Sequence, residues 1–436
     1  MIDQPDNRER QEAGQRMYDL IVELYPICRS ITGNGVRETL EIIGKHIPLQ
    51  LVEVPTGTRV FDWEIPREWN ARDAFIKNAA GDKIIDFKKL NLHLLNYSIP
   101  VHQKISLGEL KQHLYTIPEK PDLVPYRTSY YQERWGFCMS QNQLDSLEDG
   151  EYEVYVDTSL EKGHLTYGEY YIRGETDDEV LISTHVCHPS LCNDNLSGIA
   201  VATFLAGEIS KTSPRYSYRF LFIPGTIGSI AWLSRNESRL PHIKHGLVIT
   251  LLGDDSGFTY KCSRQGDATI DRITTYYLRK RFKENSKTID FIPYGYDERQ
   301  YCSPGINLPV GCLTRNPYGT FPEYHTSADN LQFVKPERLY ESLKVLRELM
   351  DMVEKNDTYI NLNPKCEPQL GKRGLYDKLG GRSDSKTMQL AILWVLNQSD
   401  GDNDLLDIVQ KSDIDFQLIA EAAEKLKESK LLKTVR

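Results

Sequence analysis

The chain has 436 residues, of which 40% are hydrophobic and 26% are charged, a composition typical of a folded protein of about three domains. Lysine and arginine number 53 against 62 aspartates and glutamates, and the formal net charge of −9 argues against a phosphate-binding surface over the whole molecule. The longest apolar runs are far shorter than the roughly 20 residues that span a bilayer, and residues 1–10 are too polar for a signal peptide. The sequence therefore predicts a soluble cytoplasmic protein without a membrane partner. Its eight cysteines contain no paired CxxC unit, which excludes a disulfide framework and a zinc ribbon.

Residues 5–46 carry apolar side chains at helical spacing in two stretches, and this pattern predicts two helices separated by a glycine-containing turn. From about residue 50 to 165 the pattern changes to short β-prone pieces between proline, glycine and asparagine turns. We interpret residues 51–159 as a β-rich domain inserted into a larger one.

Compact apolar runs alternate with helical segments in the next part of the chain. The runs lie at residues 180–183, 220–223, 247–252 and 310–313, and the helical segments at 197–209, 229–235 and 268–281. This alternation predicts an α/β fold with a mostly parallel mixed sheet flanked by helices, formed by residues 1–50 and 160–360. Sites in such sheets lie beyond the carboxyl ends of the strands, so the polar residues after each run are the first candidates.

Residues 370–436 form a separate C-terminal part. Three short helical segments, at 388–396, 404–410 and 416–428, precede a short apolar end and predict a winged-helix domain. From residue 371 onward, 11 basic side chains are balanced by 11 acidic ones, whereas a DNA-binding winged helix should carry a basic face. This balance argues against nucleic acid as a partner and favours docking or dimerisation, which leaves room for a homo-oligomer.

The first apolar run ends in STHVCHPSLCNDNLSG at residues 183–198, which contains His185, His188 and Asp194 just before a predicted helix. Imidazole nitrogen and carboxylate oxygen are the usual ligands of a catalytic zinc. A single histidine is more often a hydrogen-bonded structural residue. Two histidines and an aspartate within ten residues at a strand end favour a metal site instead.

Further polar residues lie near the ends of the other runs. They are Glu323, His325 and Asp329 in FPEYHTSADN, Asp254 and Asp255 after the third run, and Asp297, Glu298 and Arg299 before the last. Each group alone is weak, because acidic loops are usually only solvated. Their joint placement at successive strands predicts one site at one edge of the sheet.

These motifs resemble those of the zinc-dependent aminopeptidases that share a fold with glutaminyl cyclases and glutamate carboxypeptidases. The resemblance is greatest to a branch of polysaccharide-biosynthesis proteins with an aminopeptidase-like domain. It rests on the strand and NDNLSG motif at 180–198, FIPGTIGS at 222–229, the strand end at Asp254 and YHTSAD at 324–329. It covers about residues 10–355, and the β-rich insertion and winged-helix tail are also typical of the branch.

The resemblance implies a site for one or two zinc ions. Its ligands would be His185 or His188, Asp194 as the bridging carboxylate, Asp254 as a further acidic ligand, and His325 as the terminal histidine. The family pattern His-x-Asp favours His185, but Cys187 stands in place of that aspartate here, and His188 is closer in sequence to Asp194. Both histidines stay candidates, and Asp255 is an alternative to Asp254.

The main departure from the family lies at the end of the second run. The aminopeptidases carry an acidic pair there, one residue acting as general base and the other as a ligand, whereas this chain has Gly225 and Thr226. Loss of a general base costs about 100- to 10,000-fold in rate. We expect Glu323 or Glu298 to act as the catalytic substitute, because both are predicted to face the same cleft.

Substrate-binding roles are assigned to residues near these strand ends and in the insertion. Asp297 or Arg299 would bind the amino or carboxylate end of a substrate. Arg127 and Tyr130 lie in an aromatic cluster that could clamp a carboxylate or stack on a sugar ring. The alternative for this cluster is the aromatic core of a small β domain.

The leading hypothesis is a zinc hydrolase of the aminopeptidase type, in which a metal-activated water attacks an amide of a small peptide or an amino sugar. The second hypothesis is a binding or regulatory protein on an aminopeptidase scaffold that has lost its base at Gly225, with a link to polysaccharide biosynthesis implied by the resemblance. A third, a DNA-binding regulator with an α/β sensor domain, rests on the tail alone.

Overall fold

The computed structural model describes residues 7–375 and 384–435. The start of the first predicted helix and residues 376–383 of the predicted tail lie outside the described residues. The chain divides into two compact units, Met1–Arg347 and Glu348–Arg436. Within the described ranges, no helix combines the length and the apolar character needed to cross a membrane.

The first unit contains sixteen strands and nine α-helices among its described residues. The strands are β1 (Gln50–Pro55), β2 (Arg59–Val60), β3 (Trp63–Glu64), β4 (Glu68–Lys77), β5 (Lys83–Asp86), β6 (Val101–Ser106), β7 (Leu114–Tyr115), β8 (Phe137–Cys138), β9 (Glu151–Glu161), β10 (His164–Ile172), β11 (Glu179–His185), β12 (Ser217–Ile223), β13 (Ile243–Ile249), β14 (Phe258–Lys261), β15 (Ser286–Ile289) and β16 (Val310–Thr314). The helices are α1 (Asn7–Leu24), α2 (Asn34–Gly44), α3 (Leu107–Leu110), α4 (Gln141–Asp145), α5 (Gly198–Ile209), α6 (Ile227–Arg235), α7 (Thr269–Phe282), α8 (Glu298–Tyr301) and α9 (Pro336–Lys355), the last of which continues into the second unit.

An eight-stranded mixed sheet in the order β1-β10-β12-β11-β13-β16-β14-β15 forms the centre of this unit. The four apolar runs lie in β11, β12, β13 and β16, which are neighbours and run parallel. Every residue of β11, β12 and β16 is buried, as expected for strands covered on both faces. Helices α5, α6 and α7 coincide with the three predicted helical segments to within two residues at each end. The predicted α/β class, with a mostly parallel mixed sheet flanked by helices, is confirmed.

The β-rich segment forms a second sheet, antiparallel and four-stranded, in the order β5-β4-β9-β6. Strand β1 pairs with β10 in the large sheet, so the chain leaves that sheet after Pro55, a few residues beyond the boundary predicted at residue 51. One cluster of buried apolar side chains extends from Ile76 and Val154 in the smaller sheet to Leu181 and Leu221 in the larger. The two sheets therefore share a hydrophobic core.

The second unit combines three helices with a small sheet. The helices are α10 (Asp384–Gln398), α11 (Leu405–Ser412) and α12 (Phe416–Glu428), and the strands are β17 (Thr358–Asn361), β18 (Asp400–Asp404) and β19 (Leu432–Thr434). Strand β17 lies between β18 and β19, antiparallel to both. Ile392, Leu406 and Ile419 are buried, one from each helix, because each helix has an apolar face. The three helices fall where the sequence predicts them.

A buried arginine lies within the large sheet. Arg219 on β12 is 2% exposed, and its guanidinium donates hydrogen bonds of 2.6 and 2.7 Å to the carboxylate of Glu179 on β11. It also donates to Glu169 on β10, whose carboxylate accepts a hydrogen bond from the indole of Trp232. Charges on three neighbouring strands thus compensate one another, since an unpaired charge at this depth is strongly destabilising.

The substitution Glu179→Ala should lower the free energy of unfolding by about 3 kcal/mol, because it leaves a buried guanidinium with fewer partners. Urea unfolding followed by tryptophan fluorescence measures the change. Glu208→Ala is the matched control: it breaks the exposed pair of Glu208 with Arg347 and should cost less than about 1 kcal/mol. Equal losses in the two variants would contradict the importance of the buried pair.

Candidate metal centre

The candidate site lies beyond the carboxyl end of β11. This strand has β12 on one side and β13 on the other, so the chain crosses over in opposite directions after it, and a crevice forms at such a point. His185 is the last residue of β11, and the chain then passes through His188 into an irregular turn at Cys192–Ser197. Asp194 lies inside this turn with non-helical backbone angles and is fully buried.

The carboxylate of Asp194 lies between two imidazoles. Nε2 of His185 is 2.9 Å from Oδ1, and Nε2 of His325 is 2.9 Å from Oδ2. Burial alone would raise the pKa of Asp194. The electrostatic interaction with His188 and the hydrogen bonds from the other two histidines outweigh burial and hold this pKa well below its usual range.

His188 completes the group. Its ring centroid lies 4.7 Å from that of His185 and 5.1 Å from that of His325. Burial lowers the pKa of His188 well below its usual value, so its imidazole is neutral at pH 7. The structure thus brings His185 and His188 to the same place. Both can be ligands of one ion, so the sequence-based alternatives do not exclude each other.

These side chains fit a zinc ion. One donor atom each from His185, His188 and Asp194 lies within 4.8 Å of the other two. Neutral imidazole nitrogen and ionised carboxylate oxygen are the donor types that zinc prefers. Nδ1 of His185 is buried without a hydrogen-bond partner, as expected for a nitrogen that is available to a metal ion. His325 contacts the other oxygen of the carboxylate and lies outside this group of three.

Asp254 is buried beside this group and accepts a 2.8 Å hydrogen bond from the side-chain amide of Asn193. Asp329 accepts hydrogen bonds from the backbone N–H groups of Asn193 at 2.6 Å and Asp194 at 2.9 Å. Burial raises the pKa of Asp329 to about 8, although these two donors act in the opposite direction. The two acids fix the turn that presents Asp194. Asp255, the alternative to Asp254, is exposed and pairs with Arg338 at 2.9 Å.

The end of β12 has a carboxylate nearby, although its own sequence supplies none. Oδ1 of Asp297 accepts hydrogen bonds from the backbone N–H of Thr226 at 2.6 Å and the hydroxyl of Ser229 at 2.8 Å. Asp297 is 1% exposed, and burial raises its pKa, while the charge of His185 lowers it. A Cβ atom at Gly225 would lie 3.5 Å from the sulfur of Cys187, an ordinary contact. A Cβ atom therefore fits at Gly225 without a clash.

The two glutamates predicted as substitutes for the base have other contacts. Glu298 is fully buried and forms an ion pair with Lys261, and burial raises its pKa. One of its carboxylate oxygens, Oε2, is buried without a hydrogen-bond partner. Glu323 is half-buried, and its backbone carbonyl accepts hydrogen bonds from both the N–H and the hydroxyl of Thr326. These backbone contacts shape the loop that carries His325.

The predicted substrate-binding residues fall in different surroundings. Arg299 is half-buried beside the end of β12 and donates a 3.1 Å hydrogen bond to the hydroxyl of Thr226. Tyr130 lies close to the candidate metal centre. Its hydroxyl is 2.9 Å from that of Tyr126, whose ring lies against His188 and His325. The side chain of Arg127 is exposed, and its carbonyl accepts from the backbone N–H of Asn96.

Two tyrosines that sequence reasoning did not assign stack on the histidines. The ring of Tyr296 lies 5.0 Å from that of His185, and its hydroxyl is 3.5 Å from the carboxylate of Asp194. The ring of Tyr324 lies 4.0 Å from that of His325. Their positions directly before Asp297 and His325 in the sequence were the available signal.

A third tyrosine comes from the β-rich segment. The ring of Tyr126 lies 5.1 Å from the rings of both His188 and His325. Its backbone N–H donates a 2.8 Å hydrogen bond to the carbonyl of His325, beside a β-bridge between Pro125 and Thr326. The β-rich segment therefore forms one wall of the site. The aromatic cluster in the sequence indicated the region, but not this pairing.

Arg29 stabilises the loop that carries His188. It is fully buried, and its Nε donates a 2.9 Å hydrogen bond to the carbonyl of His188. Its Nη1 donates to the carbonyl of Leu24 at the end of α1. The arginine thus links the first helix to the loop after β11, and no pattern in the sequence indicated this contact.

Comparisons with known families confirm the two-part organisation. The family described as "Domain of unknown function (DUF4910)" matches residues 18–356, and a winged helix-turn-helix family matches residues 357–434. The second match confirms the predicted winged-helix domain. A protein of Clostridium acetobutylicum named "Putative polysaccharide biosynthesis protein with aminopeptidase-like domain" is 56% identical over 424 residues, 97% of each chain. This match confirms the resemblance stated from the motifs.

Solved structures support the same fold. A "putative peptidase" from C. acetobutylicum is 54% identical, with a TM-score of 0.92 over 98% of each chain. A zinc aminopeptidase from Bacillus subtilis is 12% identical, with a TM-score of 0.57 over 78% of this chain and 95% of that one. At that identity the second likeness establishes an aminopeptidase-like fold and nothing more.

Two substitutions should weaken zinc binding to different degrees. Asp194→Asn removes the charge shared by His185 and His325 and should abolish tight binding of one equivalent of zinc. Asp329→Asn keeps every candidate ligand but disturbs the turn that orients Asp194, so a loss of about 10- to 100-fold in affinity is expected. Isothermal titration of metal-free protein with zinc measures both.

Asp255→Asn serves as the control for these variants, because Asp255 is an exposed acid next to Asp254 in sequence. Its zinc affinity should equal that of the wild-type protein. Unchanged zinc binding in Asp194→Asn, in protein whose circular dichroism spectrum is native, would rule out this metal centre.

Proposed function

We propose that this chain, which belongs to the DUF4910 family, is a zinc-dependent hydrolase of an amide bond in a peptide or an amino-sugar-type substrate. The observation that carries the proposal is the buried Asp194 carboxylate held between His185 and His325, with His188 beside them. The names of the two relatives from C. acetobutylicum, "putative peptidase" and "Putative polysaccharide biosynthesis protein with aminopeptidase-like domain", agree with it.

The residues of the site have separate tasks in this proposal. Bound zinc would supply a Lewis acid for the amide carbonyl and make a water acidic enough to lose a proton near neutral pH. His188 stays neutral because burial lowers its pKa, so its nitrogen can bind metal without first losing a proton. Tyr296 and Tyr324 restrict the orientations of the two histidine rings and limit access of water to them.

Asp297 is the carboxylate that we assign as the general base. The N–H of Thr226 holds it at the end of β12. Asp297 also lies close enough to His185 for the electrostatic interaction between them to lower the pKa of Asp297. Burial raises the pKa of Asp297, which suits a group that accepts and then returns a proton. Glu298 fits this task less well, because its carboxylate is paired with Lys261.

The second candidate function is that of a binding or regulatory protein that has lost catalysis. The observation in its favour is Gly225 at the strand end where the aminopeptidases carry an acid. Under this alternative the site would bind zinc and an amide ligand without turnover.

Metal analysis and activity assays decide between the two functions. The hydrolase proposal predicts one or two equivalents of zinc and release of product from aminoacyl amides or N-acylated amino sugars. Removal of zinc with a chelator should abolish this activity, and added zinc should restore it. Stoichiometric zinc with no turnover on either substrate class would instead favour the binding protein.

Asp297→Asn tests the base. It keeps an oxygen to accept the hydrogen bonds of Thr226 and Ser229, but it cannot take a proton, so kcat should fall by about 100- to 10,000-fold. Adding Gly225→Glu to this variant should restore part of the activity, since a Cβ atom at this position makes only ordinary contacts and lies 3.7 Å from the Cβ of His185. Steady-state kinetics of the single and double variants measure both effects.

Gly225→Gln in the Asp297→Asn background is the matched control for the rescue, because it adds nearly the same volume without a base. It should leave kcat at the level of Asp297→Asn. Full activity in Asp297→Asn alone would remove Asp297 as the base.

A further inference from the structure

We propose that a cavity in the β-rich segment binds a pyranose ring, so that the substrate of the metal centre is an amide borne by a sugar. This inference deepens the proposed function and rests on it for the connection to catalysis. The cavity has a volume of about 320 Å³ and lies among β3, the loop after it and residues 131–133. That volume is at the lower end of the roughly 300–1,000 Å³ typical of small-molecule sites, as a single ring requires.

The lining of the cavity combines aromatic faces with polar groups. Tyr97 and Tyr131 supply the aromatic side chains, and the polar residues are Thr56, Glu64, Arg67, Gln132 and Glu133. A pyranose presents C–H groups on its faces and hydroxyl groups around its edge. An aromatic face together with carboxylate, amide and guanidinium groups matches both parts of such a ring.

The polar groups also argue against an apolar occupant such as an aromatic amino-acid side chain. Arg67 and Glu133 form an ion pair at the cavity, with 43% and 64% of their side chains exposed. Burying these charges under a purely apolar ring would cost free energy, because their hydrogen-bonding partners would be lost. A ring with hydroxyl groups at its edge replaces the lost water contacts.

Large aromatic side chains are exposed at the same place. Tyr131 is 53% exposed and Trp63 is 39% exposed, and their ring centroids are 5.6 Å apart. Phe61, at the turn between β2 and β3, is exposed as well. Exposed aromatic side chains in contact with one another are uncommon on a surface without a ligand and mark a binding site.

The backbone supports this interpretation. Tyr97, Tyr131 and Phe61 have φ values of 74°, 65° and 54°, in the left-handed region that bulky residues rarely adopt. Such conformations persist only where the surrounding structure enforces them, and they concentrate at functional sites. Two of these three residues line the cavity itself.

A row of tyrosines connects the cavity with the metal centre. The ring of Tyr130 lies 5.5 Å from that of Tyr97 and 6.4 Å from that of Tyr131, both of which line the cavity. On its other side, the hydroxyl of Tyr130 contacts that of Tyr126, whose ring lies against His188 and His325. Two packed tyrosines, Tyr130 and Tyr126, therefore separate the cavity from the metal centre, and in this proposal the substrate extends over them, with its sugar in the cavity and its amide at the metal centre.

The test is the binding of N-acetylglucosamine to full-length, metal-free protein, measured by ligand-observed NMR and calorimetry up to tens of millimolar sugar. Wild-type protein and Tyr131→Phe should bind the sugar, since both keep the aromatic face. Tyr131→Ala should bind about tenfold more weakly. Tyr171→Ala, which removes another exposed tyrosine from β10 in the large sheet, should bind like wild type.

Three results would overturn the sugar site: no binding to the wild-type protein, equal binding to wild type and Tyr131→Ala, or binding of phenylalaninamide in place of the sugar. Because the titration uses metal-free protein, it separates this inference from the proposed hydrolase. Sugar binding without any amide turnover would refute the hydrolase alone. Amide turnover without sugar binding would refute the sugar site alone.

Discussion

The charge of Asp194 is buried in the first unit, and the candidate site depends on how that charge is compensated. One oxygen meets an imidazole at the end of its neighbouring strand, and the other meets an imidazole 131 residues further along the chain. Removal of either imidazole would take away the histidine partner of one carboxylate oxygen in a water-poor interior. Asp329 adds a second constraint, because its carboxylate accepts a hydrogen bond from the backbone N–H of Asp194. Asp329 belongs to the same loop as His325. The turn at Cys192–Ser197 and the loop at residues 321–330 therefore define each other's position.

Topology explains why this contact lies where it does. The chain crosses to β12 and then to β13 on opposite sides of β11, and this opens a crevice above β11. In an open sheet that crevice would face solvent. Here the segment between β1 and β10 closes one side of it with Tyr126, and the shared hydrophobic core holds that segment in place. The low pKa of His188, which is caused by burial, follows from this closure.

Much of this arrangement could be predicted from the sequence, because it depends on local patterns. Fully apolar runs and helical spacing predicted the central strands and helices, and parallel strands bring their carboxyl ends to one edge, which placed His185, Asp194 and His325 together. Contacts between distant loops could not be predicted in this way. Asp297 was assigned to substrate binding, yet its carboxylate lies at the end of β12, because the chain between β15 and β16 folds back over that strand end. One partner of Asp254 is the side-chain amide of Asn193, which lies far from it in the sequence, and no local pattern indicates such a pair.

The β-bridge between Pro125 and Thr326 has a consequence for evolution and for engineering. A loop grafted onto a sheet edge can usually be shortened or exchanged, because its ends are all that the scaffold recognises. In this protein the insertion hydrogen-bonds through its own backbone to the loop that carries a candidate ligand. A change in its length that shifted the register at residues 124–126 would move His325, however conservative the substitutions around the histidines. The inserted segment and the metal centre are thus bound to vary together, and chimeras between relatives should exchange both or neither.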